Sequence, residues 1–299
     1  MIGVVILNYL TWEKTVACVH SILKTYTQKK QIVIIDNGST NNSFEQLSSM
    51  FAEQDYPDIH IVKSETNGGF SKGNNIGFYF LRKNYPEITE IIITNNDIIF
   101  LKDALFILEA SLNAKKNAAV IAPHVLSTSY ESTNRPWVKK PTMFQSSGLL
   151  STNRKLMAWE DIHGLQKVYM VSGCCLAVNA NEFEKIGAFD ENVFLYNEEN
   201  ILSYKIRAND LDIYVNSDAK IIHDHGATTG NSNIFVDKEM LKSSLYFFHY
   251  YENKNKGVLA LFCFYWTSKM IMKTIMKKYK NSKGLFSATK EIWNELLKV

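Results

Sequence analysis

Two short segments of the chain carry side chains suited to chemistry. The first is an apolar run with an acidic end, Ile-Ile-Ile-Thr-Asn-Asn-Asp at residues 91–97. The second, later in the chain, is Tyr196-Asn197-Glu198-Glu199. An acid at a strand end can hold a hard divalent ion, which takes oxygen ligands, and a glutamate can accept a proton from a hydroxyl. Together they suit the transfer of a group onto a hydroxyl, provided that the fold brings them together.

Strand and helix patterns alternate through the first third of the chain. Continuous apolar runs predict strands at 3–8, 31–36, 59–62 and 90–94, and helix-period patterns predict helices near 12–26, 43–53 and 72–82. Continuous runs joined by helices predict an α/β fold with a Rossmann-like, mainly parallel sheet covered on both faces. Ligands of such sheets bind beyond the carboxyl ends of the strands. Four polar residues fall there: Asn8, Asp36, Asn67 and Asp97.

Two common nucleotide-binding motifs are absent. A dinucleotide-binding domain needs G-x-G-x-x-G after its first strand, whereas residues 8–13 here are Asn-Tyr-Leu-Thr-Trp-Glu, without a glycine. The phosphate-binding G-x-x-x-x-G-K-[ST] sequence does not occur either. These absences exclude an NAD-binding domain and a P-loop enzyme.

Composition fits an ordinary cytoplasmic enzyme. With 299 residues, 46% of them hydrophobic, the chain can bury a large core and suits one enlarged α/β domain with a C-terminal appendage. The first residues lack a basic region before their short apolar run, so we expect a first strand and no export signal. The four cysteines have no zinc-binding or CxxC spacing, which favours buried, reduced thiols.

Eight short motifs resemble, in their order, those of glycosyltransferase family 2, whose members have the GT-A fold. They are Asn8-Tyr9, 33–40, 67–77, Thr94-Asn95-Asn96-Asp97, 173–177, 186–191, 194–199 and His223-Asp224-His225-Gly226. The resemblance covers roughly residues 2–230 and rests on the series rather than on one motif. It is nearest to the bacterial branch of rhamnosyl- and galactosyltransferases of capsule and cell-wall polysaccharide assembly.

The resemblance implies a set of residues that bind the nucleotide and diphosphate of the donor. Asp36 is expected to accept a hydrogen bond from the uracil or thymine imide, and capping of the next helix is the alternative. Glycines after residue 67 let the backbone approach phosphates, although a purely structural loop remains open. The set is Asn8, Tyr9, Asp36, Asn37, Asn67, Gly68, Gly69, Phe70, Lys72, Asn74, Asn75, Asn95 and Asn96.

A metal site is implied around Asp97. This residue resembles the last acid of the family's metal-binding D-x-D motif, written here Asn95-Asn96-Asp97. One carboxylate together with a donor diphosphate suits Mn²⁺ or Mg²⁺. His223 and His225 alternate to one face of the strand pattern that they follow. The resemblance implies that one of them completes the site, with His225 slightly favoured, and structural histidines are the alternative.

The Glu198-Glu199 pair supplies the candidate base, which a hydroxyl attacking an anomeric carbon requires. By the resemblance Glu199 is the first choice and Glu198 the second. Two solvated acids at a helix N-terminus are the alternative, but the preceding Phe194-Leu195-Tyr196 favours a buried edge. Between residues 123 and 169 the periodicity weakens, and this region is predicted to form part of an acceptor pocket or a lid.

The C-terminal region differs from the rest in charge. Net charge is +3 overall but +8 from residue 238 onward, where aromatic and basic residues interleave. Its longest uninterrupted apolar run is about nine residues, short of the ~20 needed to span a bilayer. We expect an interfacial helix, with Lys269, Lys273 and Lys277 as a basic stripe beside Phe262, Trp266 and Met270, or a helical contact in a homodimer. Packing of this stripe on the catalytic domain is the further alternative, and no nucleic acid is expected as a partner.

These features together predict a catalytic domain at 1–235 and a helical region at 236–299. The predicted activity is inverting, metal-dependent transfer of a sugar from a UDP- or dTDP-linked donor to a glycan acceptor. We expect an undecaprenyl-linked acceptor at the cytosolic membrane face, where the protein would be cytoplasmic and peripheral. The alternative is a catalytically silent GT-A module that binds a glycan or a protein partner. A processive synthase is disfavoured because the expected transmembrane helices are missing.

Overall fold

The computed structural model describes residues 1–146, 156–224, 233–276, 279 and 284–298. Its strands are β1 (Ile2–Asn8), β2 (Lys30–Asp36), β3 (Ile59–Lys63), β4 (Glu90–Asn95), β5 (Ile98–Phe100), β6 (Ala118–Leu126), β7 (Leu165–Val168), β8 (Cys175–Asn179) and β9 (Asp212–His223). Its helices are α1 (Trp12–Thr25), α2 (Ser43–Met50), α3 (Gly69–Asn84), α4 (Ala104–Ala114), α5 (Met143–Ser146), α6 (Ala180–Lys185), α7 (Glu198–Ala208), α8 (Ile234–Tyr250), α9 (Lys256–Ile275) and α10 (Leu285–Lys298).

The strands form one mixed sheet. Its order is β3-β2-β1-β4-β8-β6-β9-β5, and β7 pairs with β9 outside this path. β1 to β4 are parallel to one another, whereas β8 runs antiparallel to both β4 and β6. The α/β prediction is confirmed, and the first half of the sheet is parallel as the apolar runs indicated. The other half, in which β6 and β9 are parallel and the remaining pairs antiparallel, is an addition that those runs did not describe.

Both faces of the sheet are covered, which explains the unbroken apolar runs. In β1, Ile2, Val4 and Ile6 pack into one core with α1, whereas Val5 packs into the opposite core with α3. Successive side chains of a strand point to opposite faces, so a strand buried on both sides needs apolar residues throughout. All four cysteines are buried free thiols, as their spacing predicted.

Helices α8 to α10 form a third apolar cluster, which Met143, Val193 and Ile201 of the sheet domain also join. Phe262, Trp266 and Met270 are buried in this cluster, so the prediction that they face a membrane is wrong for these three side chains. Lys273 lies 2.6 Å from Asp237 and is an internal ion-pair partner. These three apolar side chains pack inward because the association of α9 with its neighbouring helices buries this face of the helix. Lys277 lies outside the described residues.

α9 is longer than the sequence suggested. Among the described residues it is the one helix that is long and apolar enough to cross a membrane by length and composition, and 33% of its most apolar stretch is buried. Buried helices in the cores of soluble proteins can be equally long and apolar. Polar residues interrupt the apolar run but not the helix, because Thr267 and Ser268 donate their hydroxyls to carbonyls one turn back.

Polar contacts join the helical cluster to the sheet domain. Asp190 accepts hydrogen bonds from the hydroxyls of Tyr246 and Tyr251, and Lys140 forms an ion pair with Glu252. Because α8 begins at Ile234, the helical region follows closely on the predicted end of the catalytic domain. The division at residues 235 and 236 stays a prediction.

Candidate active site

A hydrogen-bond network joins the carboxyl ends of three neighbouring strands. Asn8 at the end of β1 donates to Asp36 at the end of β2, at 2.8 Å, and accepts from Thr15 of α1, also at 2.8 Å. The amide of Asn96, just after β4, donates to Asn8 and to the hydroxyls of Thr11 and Thr15. The network is buried or nearly so, so each member must find its partner within the protein. It fixes how the strand ends lie relative to α1.

Asp36 belongs to this network. It is fully buried, one carboxylate oxygen accepts from Asn8, and the other accepts from the backbone N–H of Ser39 at 3.0 Å. Its carboxylate therefore holds the turn after β2 in this structure. Asp36 does not cap α2, whose N-cap is Asn42. A role for Asp36 in binding a nucleobase stays a prediction.

Asn37 holds the loop that precedes α3. Its side-chain N–H₂ donates to the Asn67 side chain and to the carbonyl of Gly69, both at 3.0 Å, and its oxygen accepts from the N–H of Gly68 at 3.1 Å. Gly69 has φ +81°, and a Cβ on it would lie 2.1 Å from the carbonyl oxygen of Phe194. Only glycine allows both this left-handed conformation and this close approach. α3 therefore begins at Gly69, earlier than its apolar period indicated.

Three residues of the predicted donor set point elsewhere. Asn75 donates to the carbonyl of Phe189 and accepts from the backbone N–H of the same residue. Asn74 donates to the carbonyl of Phe70, and Lys72 is exposed on α3. Their contacts are those of loop and helix structure, and a part in donor binding stays a prediction for them.

A cavity of about 500 Å³ opens at the carboxyl ends of the parallel strands, and we call it the first cavity. Its lining includes eight residues of the predicted donor and metal sets: Tyr9, Asn37, Asn67, Gly69, Phe70, Asn95, Asn96 and Asp97. Sequence reasoning missed the rest of its wall: Leu7, Phe194, Leu195, Asn233, Phe235 and Val236. The last three belong to the start of α8, which carries no motif that would link it to a site some 140 residues earlier in the chain.

Asp97 lies in the two-residue turn between β4 and β5, at the edge of the first cavity. Its Oδ1 is 3.1 Å from Nε2 of His223, and its carbonyl accepts from the N–H of Asp224. Burial lowers the pKa of His223, but its contacts with Asp97 and Cys174 together outweigh this effect and raise the pKa to about 9. At neutral pH His223 is therefore a cation that balances Asp97. His225, the favoured second ligand, lies outside the described residues.

The surroundings of Asp97 fit a hard divalent ion that receives one carboxylate from the protein and most of its other ligands from phosphate oxygens. The buried Oδ1 lacks a well-oriented hydrogen-bond partner among the described residues. Within the same residues no group of three or more His, Cys, Asp or Glu side chains is arranged to hold an ion. One carboxylate with phosphate oxygens is a usual way to bind Mg²⁺ or Mn²⁺. Ligation by His223 would require the loss of its proton.

The carboxylate pair begins α7 after an unusual turn. Tyr196 and Asn197 are both left-handed, with φ +69° and +63°. This conformation is uncommon outside glycine and costs of order 1–3 kcal/mol for a residue such as tyrosine. Asn197 is held by its donation to the hydroxyl of Ser244 in α8 at 3.0 Å. The turn directs Glu198 and Glu199 back into the protein. The alternative that both are solvated acids at a helix N-terminus therefore does not hold.

The two glutamates have different surroundings. Glu199 accepts a hydrogen bond from the backbone N–H of Gly173 at 3.0 Å and faces a cavity. Glu198 is buried, and its Oε2 has no hydrogen-bond partner among the described residues. Burial raises the pKa of both carboxyls, and at Glu198 the nearby charge of Glu199 raises it further. Glu198 therefore keeps its proton to higher pH than Glu199.

The cavity beside Glu199 measures about 270 Å³, and we call it the second cavity. Its lining comes from the loop after β6, the segment before β8, the start of α7 and one residue of α8: Asn134, Arg135, Trp137, Met170, Val171, Ser172, Tyr196, Asn197, Glu199, Asn200 and Met240. Arg135 and Trp137 belong to the region predicted to contact an acceptor. That role stays a prediction, and part of the region, 147–155, lies outside the described residues.

Gly173 lies between a residue of the first cavity and a residue of the second. A Cβ on this glycine would lie 3.2 Å from Oε1 of Glu199 and 3.4 Å from Cζ of Phe70. Phe70 lines the first cavity, and Glu199 lines the second. Gly173 thus lies beside both walls, and its amide positions Glu199. A glycine two residues before a buried strand is a sequence signal for such a close approach, although its partner cannot be inferred from it.

A sequence model of glycosyl transferase family 2 matches residues 3–186. The chain belongs to this family. The matched segment contains the strands that form the first cavity and ends before Glu198 and Glu199. Two characterised relatives agree with the assignment. The chain is 26% identical over 214 residues to the low-salt glycan biosynthesis hexosyltransferase Agl10 of Haloferax volcanii, a match that covers 71% of this chain and 63% of that protein.

The second relative is the glycosyltransferase GlyG of Streptococcus pneumoniae. It is 34% identical over 99 residues, which is 33% of this chain and 31% of GlyG. The chain therefore spans less than two thirds of the length of either relative. Their names describe those proteins, and the shared segments support the family assignment.

Solved structures identify the fold as GT-A. A crystal structure of GalNAc-T7 with UDP, GalNAc and Mn²⁺ superposes with a TM-score of 0.61 at 16% identity, covering 84% of this chain and 49% of that one. S. aureus TarS in complex with UDP-GlcNAc superposes with a TM-score of 0.56 at 13% identity, covering 82% and 65%. The predicted GT-A fold is confirmed.

Replacement of Asn37 tests how the wall of the first cavity is held. Asn37→Ala removes three hydrogen bonds and leaves the N–H of Gly68 without its partner, so the free energy of unfolding should fall by about 1–3 kcal/mol. Amides of Gly68 and Gly69 should exchange with deuterium faster, as measured by mass spectrometry. Asn42→Ala is the matched control, because Asn42 is exposed and its side chain makes no capping bond. Equal loss of stability in both variants would contradict this account.

Proposed function

We propose that this chain is an inverting glycosyltransferase that moves a hexosyl or deoxyhexosyl group from a nucleoside diphosphate sugar to a hydroxyl of a glycan. The observation that carries the proposal is the position of Gly173 beside both Phe70 of the first cavity and Glu199 of the second. A donor in the first cavity and an acceptor in the second would approach each other beside Glu199. Family membership and the GT-A fold support the same activity.

UDP is the nucleotide that the comparisons favour, and dTDP is the alternative from the sequence. GalNAc-T7 and TarS were crystallised with UDP or a UDP-linked sugar, and Agl10 is named a hexosyltransferase. The polar strand ends of the first cavity and its aromatic walls Tyr9 and Phe70 suit a nucleotide with a planar base.

Asp97 would hold a divalent cation, Mn²⁺ or Mg²⁺, together with oxygens of the donor diphosphate. Such an ion, when bound, offsets the charge that develops on the leaving diphosphate. His223 would orient Asp97 through their 3.1 Å contact. The Mn²⁺ in the GalNAc-T7 complex supports a divalent ion in this fold.

Glu199 would act as the base. Its Oε1 is held by the Gly173 N–H, which leaves the other oxygen to accept the proton of an acceptor hydroxyl as that hydroxyl attacks the anomeric carbon. The bond to the diphosphate oxygen breaks as the new bond forms on the opposite face of the sugar, so the configuration inverts. Burial favours a base whose pKa is nearer neutrality than that of a solvated glutamate.

The acceptor would occupy the second cavity. Trp137 offers an aromatic surface, and Asn134 and Asn200 offer amides, the combination by which proteins commonly bind sugar rings. We propose a lipid-linked saccharide of capsule, cell-wall or exopolysaccharide assembly as the acceptor. The glycan biosynthesis role in the name of Agl10 supports a glycan acceptor. A silent GT-A module that only binds a glycan or protein partner remains the second candidate, and the next experiment separates the two.

Donor turnover with and without metal tests the proposal together with Asp97. Wild-type protein should release UDP or dTDP from at least one nucleotide sugar, and Mn²⁺ should accelerate the release. Asp97→Ala should weaken Mn²⁺-dependent UDP binding by at least about tenfold in calorimetry, because the ion loses its carboxylate. Asp224→Ala is the matched control, since it removes an adjacent exposed carboxylate that pairs with Lys14.

Two results would count against this assignment. Undiminished Mn²⁺-dependent binding in Asp97→Ala would remove the metal role from this residue. Absence of donor turnover by the wild type across UDP- and dTDP-sugars, with nucleotide binding intact, would favour the silent module.

Glu199→Gln tests the base. Glutamine nearly preserves the shape and can still accept from Gly173, but it does not take up a proton. Transfer should therefore fall by roughly 10²-fold or more in kcat, while KM for the donor stays unchanged. Glu198→Gln is the comparison and should retain most activity. If Glu198→Gln is inactive and Glu199→Gln turns over like the wild type, the role belongs to Glu198.

The raised pKa of Glu199 predicts the pH dependence. A base must be ionised, so kcat/KM should fall as pH decreases through this pKa, at a higher pH than the value of about 4.3 for an ordinary glutamate. Glu198→Gln should leave this acid limb in place, because burial and the charge of Glu199 both oppose ionisation of Glu198. If the acid limb of the kcat/KM profile shifts by more than about one pH unit in Glu198→Gln, the two carboxyls titrate as a coupled pair and the limb does not belong to Glu199 alone.

A further inference from the structure

α9 is apolar on the side away from its neighbours as well as on the side it buries. Leu259, Phe262 and Trp266 pack into the cluster with α8 and α10. The opposite side carries apolar residues spaced three and four apart, which places them on one face of the helix. We call these residues the outer face of α9: Leu261, Phe264, Tyr265, Met272 and Ile275. Ser268 is the polar residue among them.

The outer face is strongly exposed. Leu261 is 72% exposed and Ile275 75%. α10, which belongs to the same cluster, exposes Phe286 at 83% and Leu297 at 77%. Scattered exposed apolar residues are normal, but a row of them along a helix marks a surface that contacts another apolar phase.

The charges around this surface are positive. α9 contains three lysines and no acidic residue, and the chain from residue 238 onward carries twelve lysines and four glutamates. Three of these glutamates are already used in ion pairs within the chain: Glu239, Glu252 and Glu291. Lys256 is exposed at the start of α9, and Lys269 extends over the ring of Trp266. Lys273 is paired with Asp237, so Lys256 and Lys269 are the cations of α9 that border the apolar face.

We infer that the outer face of α9 binds the surface of an anionic lipid bilayer, with the helix lying in the interface. Apolar side chains bordered by lysines are the features by which amphipathic helices bind such surfaces. A second copy of the chain fits less well, because a twofold contact places the same face on itself and brings like charges together. A spanning orientation would expose the buried side of α9, including the Lys273–Asp237 pair, to lipid.

Helix α8 contacts α9, which carries the outer face, and also lines both cavities. α8 packs on α9 in the apolar cluster, its residues Phe235 and Val236 line the first cavity, and Met240 lines the second. A bilayer against α9 would thus lie one helix layer away from the site. This inference concerns where the protein binds and is independent of the reaction, so that its failure and the failure of the proposed activity can be told apart.

Vesicle flotation of the full chain tests the inference. Wild-type protein should float with vesicles of phosphatidylcholine mixed with phosphatidylglycerol at low salt, and less at high salt, because ions screen the lysines. The double variant Phe264→Gln/Ile275→Gln should reduce bound protein by at least about tenfold, since two exposed apolar side chains no longer enter the interface. Met50→Gln/Tyr79→Gln is the matched control, because it changes two exposed apolar side chains on α2 and α3 and should float like the wild type.

Lys256→Gln separates charge from apolar insertion and should weaken binding about fivefold at low salt and little at high salt. Thermal melting and UDP binding should be unchanged in all these variants, which excludes unfolding. The inference is overturned if the wild type does not float with anionic vesicles at low salt. It is also overturned if the double variant floats undiminished, or if light scattering shows a wild-type dimer that the double variant dissociates.

Discussion

The arrangement of the site depends on one buried amide, that of Asn8. It lies at the carboxyl end of the central parallel strand and contacts Asp36, Thr15 and Asn96, which come from β2, α1 and the turn after β4. Parallel strands alone set the spacing between their ends but not the direction of the loops that leave them. Through Asn8 these loops are fixed relative to one another. Asp97, one residue after Asn96, is thereby held at the edge of the first cavity.

Much of the fold followed from pattern. Continuous apolar runs at β1 and β2 predicted a doubly covered parallel sheet, because no other common setting buries both faces of a strand. The pairing of β8 and β9 was harder to predict, since it is set by long-range contacts that a local pattern does not contain. β8 is antiparallel to both neighbours, and β9 is parallel to β6 but antiparallel to β5 and β7. Helix α8 was assigned to an appendage because its sequence carries only an apolar period. Its part in both cavities follows from tertiary packing alone.

The site was predictable in outline and less so in the use of each side chain. A strand-end carboxylate or amide can bind a ligand or a neighbouring loop, and residue type does not decide between them. Asp36 and Asn75 make protein contacts in the structure, whereas Tyr9 and Asn95 line the cavity. The left-handed Tyr196 had no sequence signal, because tyrosine rarely adopts that conformation. Its strain is retained where it turns Glu199 toward Gly173, which is a common place for strained backbone.

The two cavities draw on different parts of the chain. The first is lined by the ends of β1 and β4, the loops after β2 and β3, and the start of α8, whereas the second takes most of its wall from the loop at 134–137 and the segment at 170–172. The segment from Phe194 to Asn200 is the main stretch of chain that contributes to both. A change in the length or composition of the 134–137 loop therefore alters the second cavity without replacing any residue that lines the first. The architecture thus allows one cavity to diversify, by natural drift or by engineered loop exchange, while the other is inherited intact.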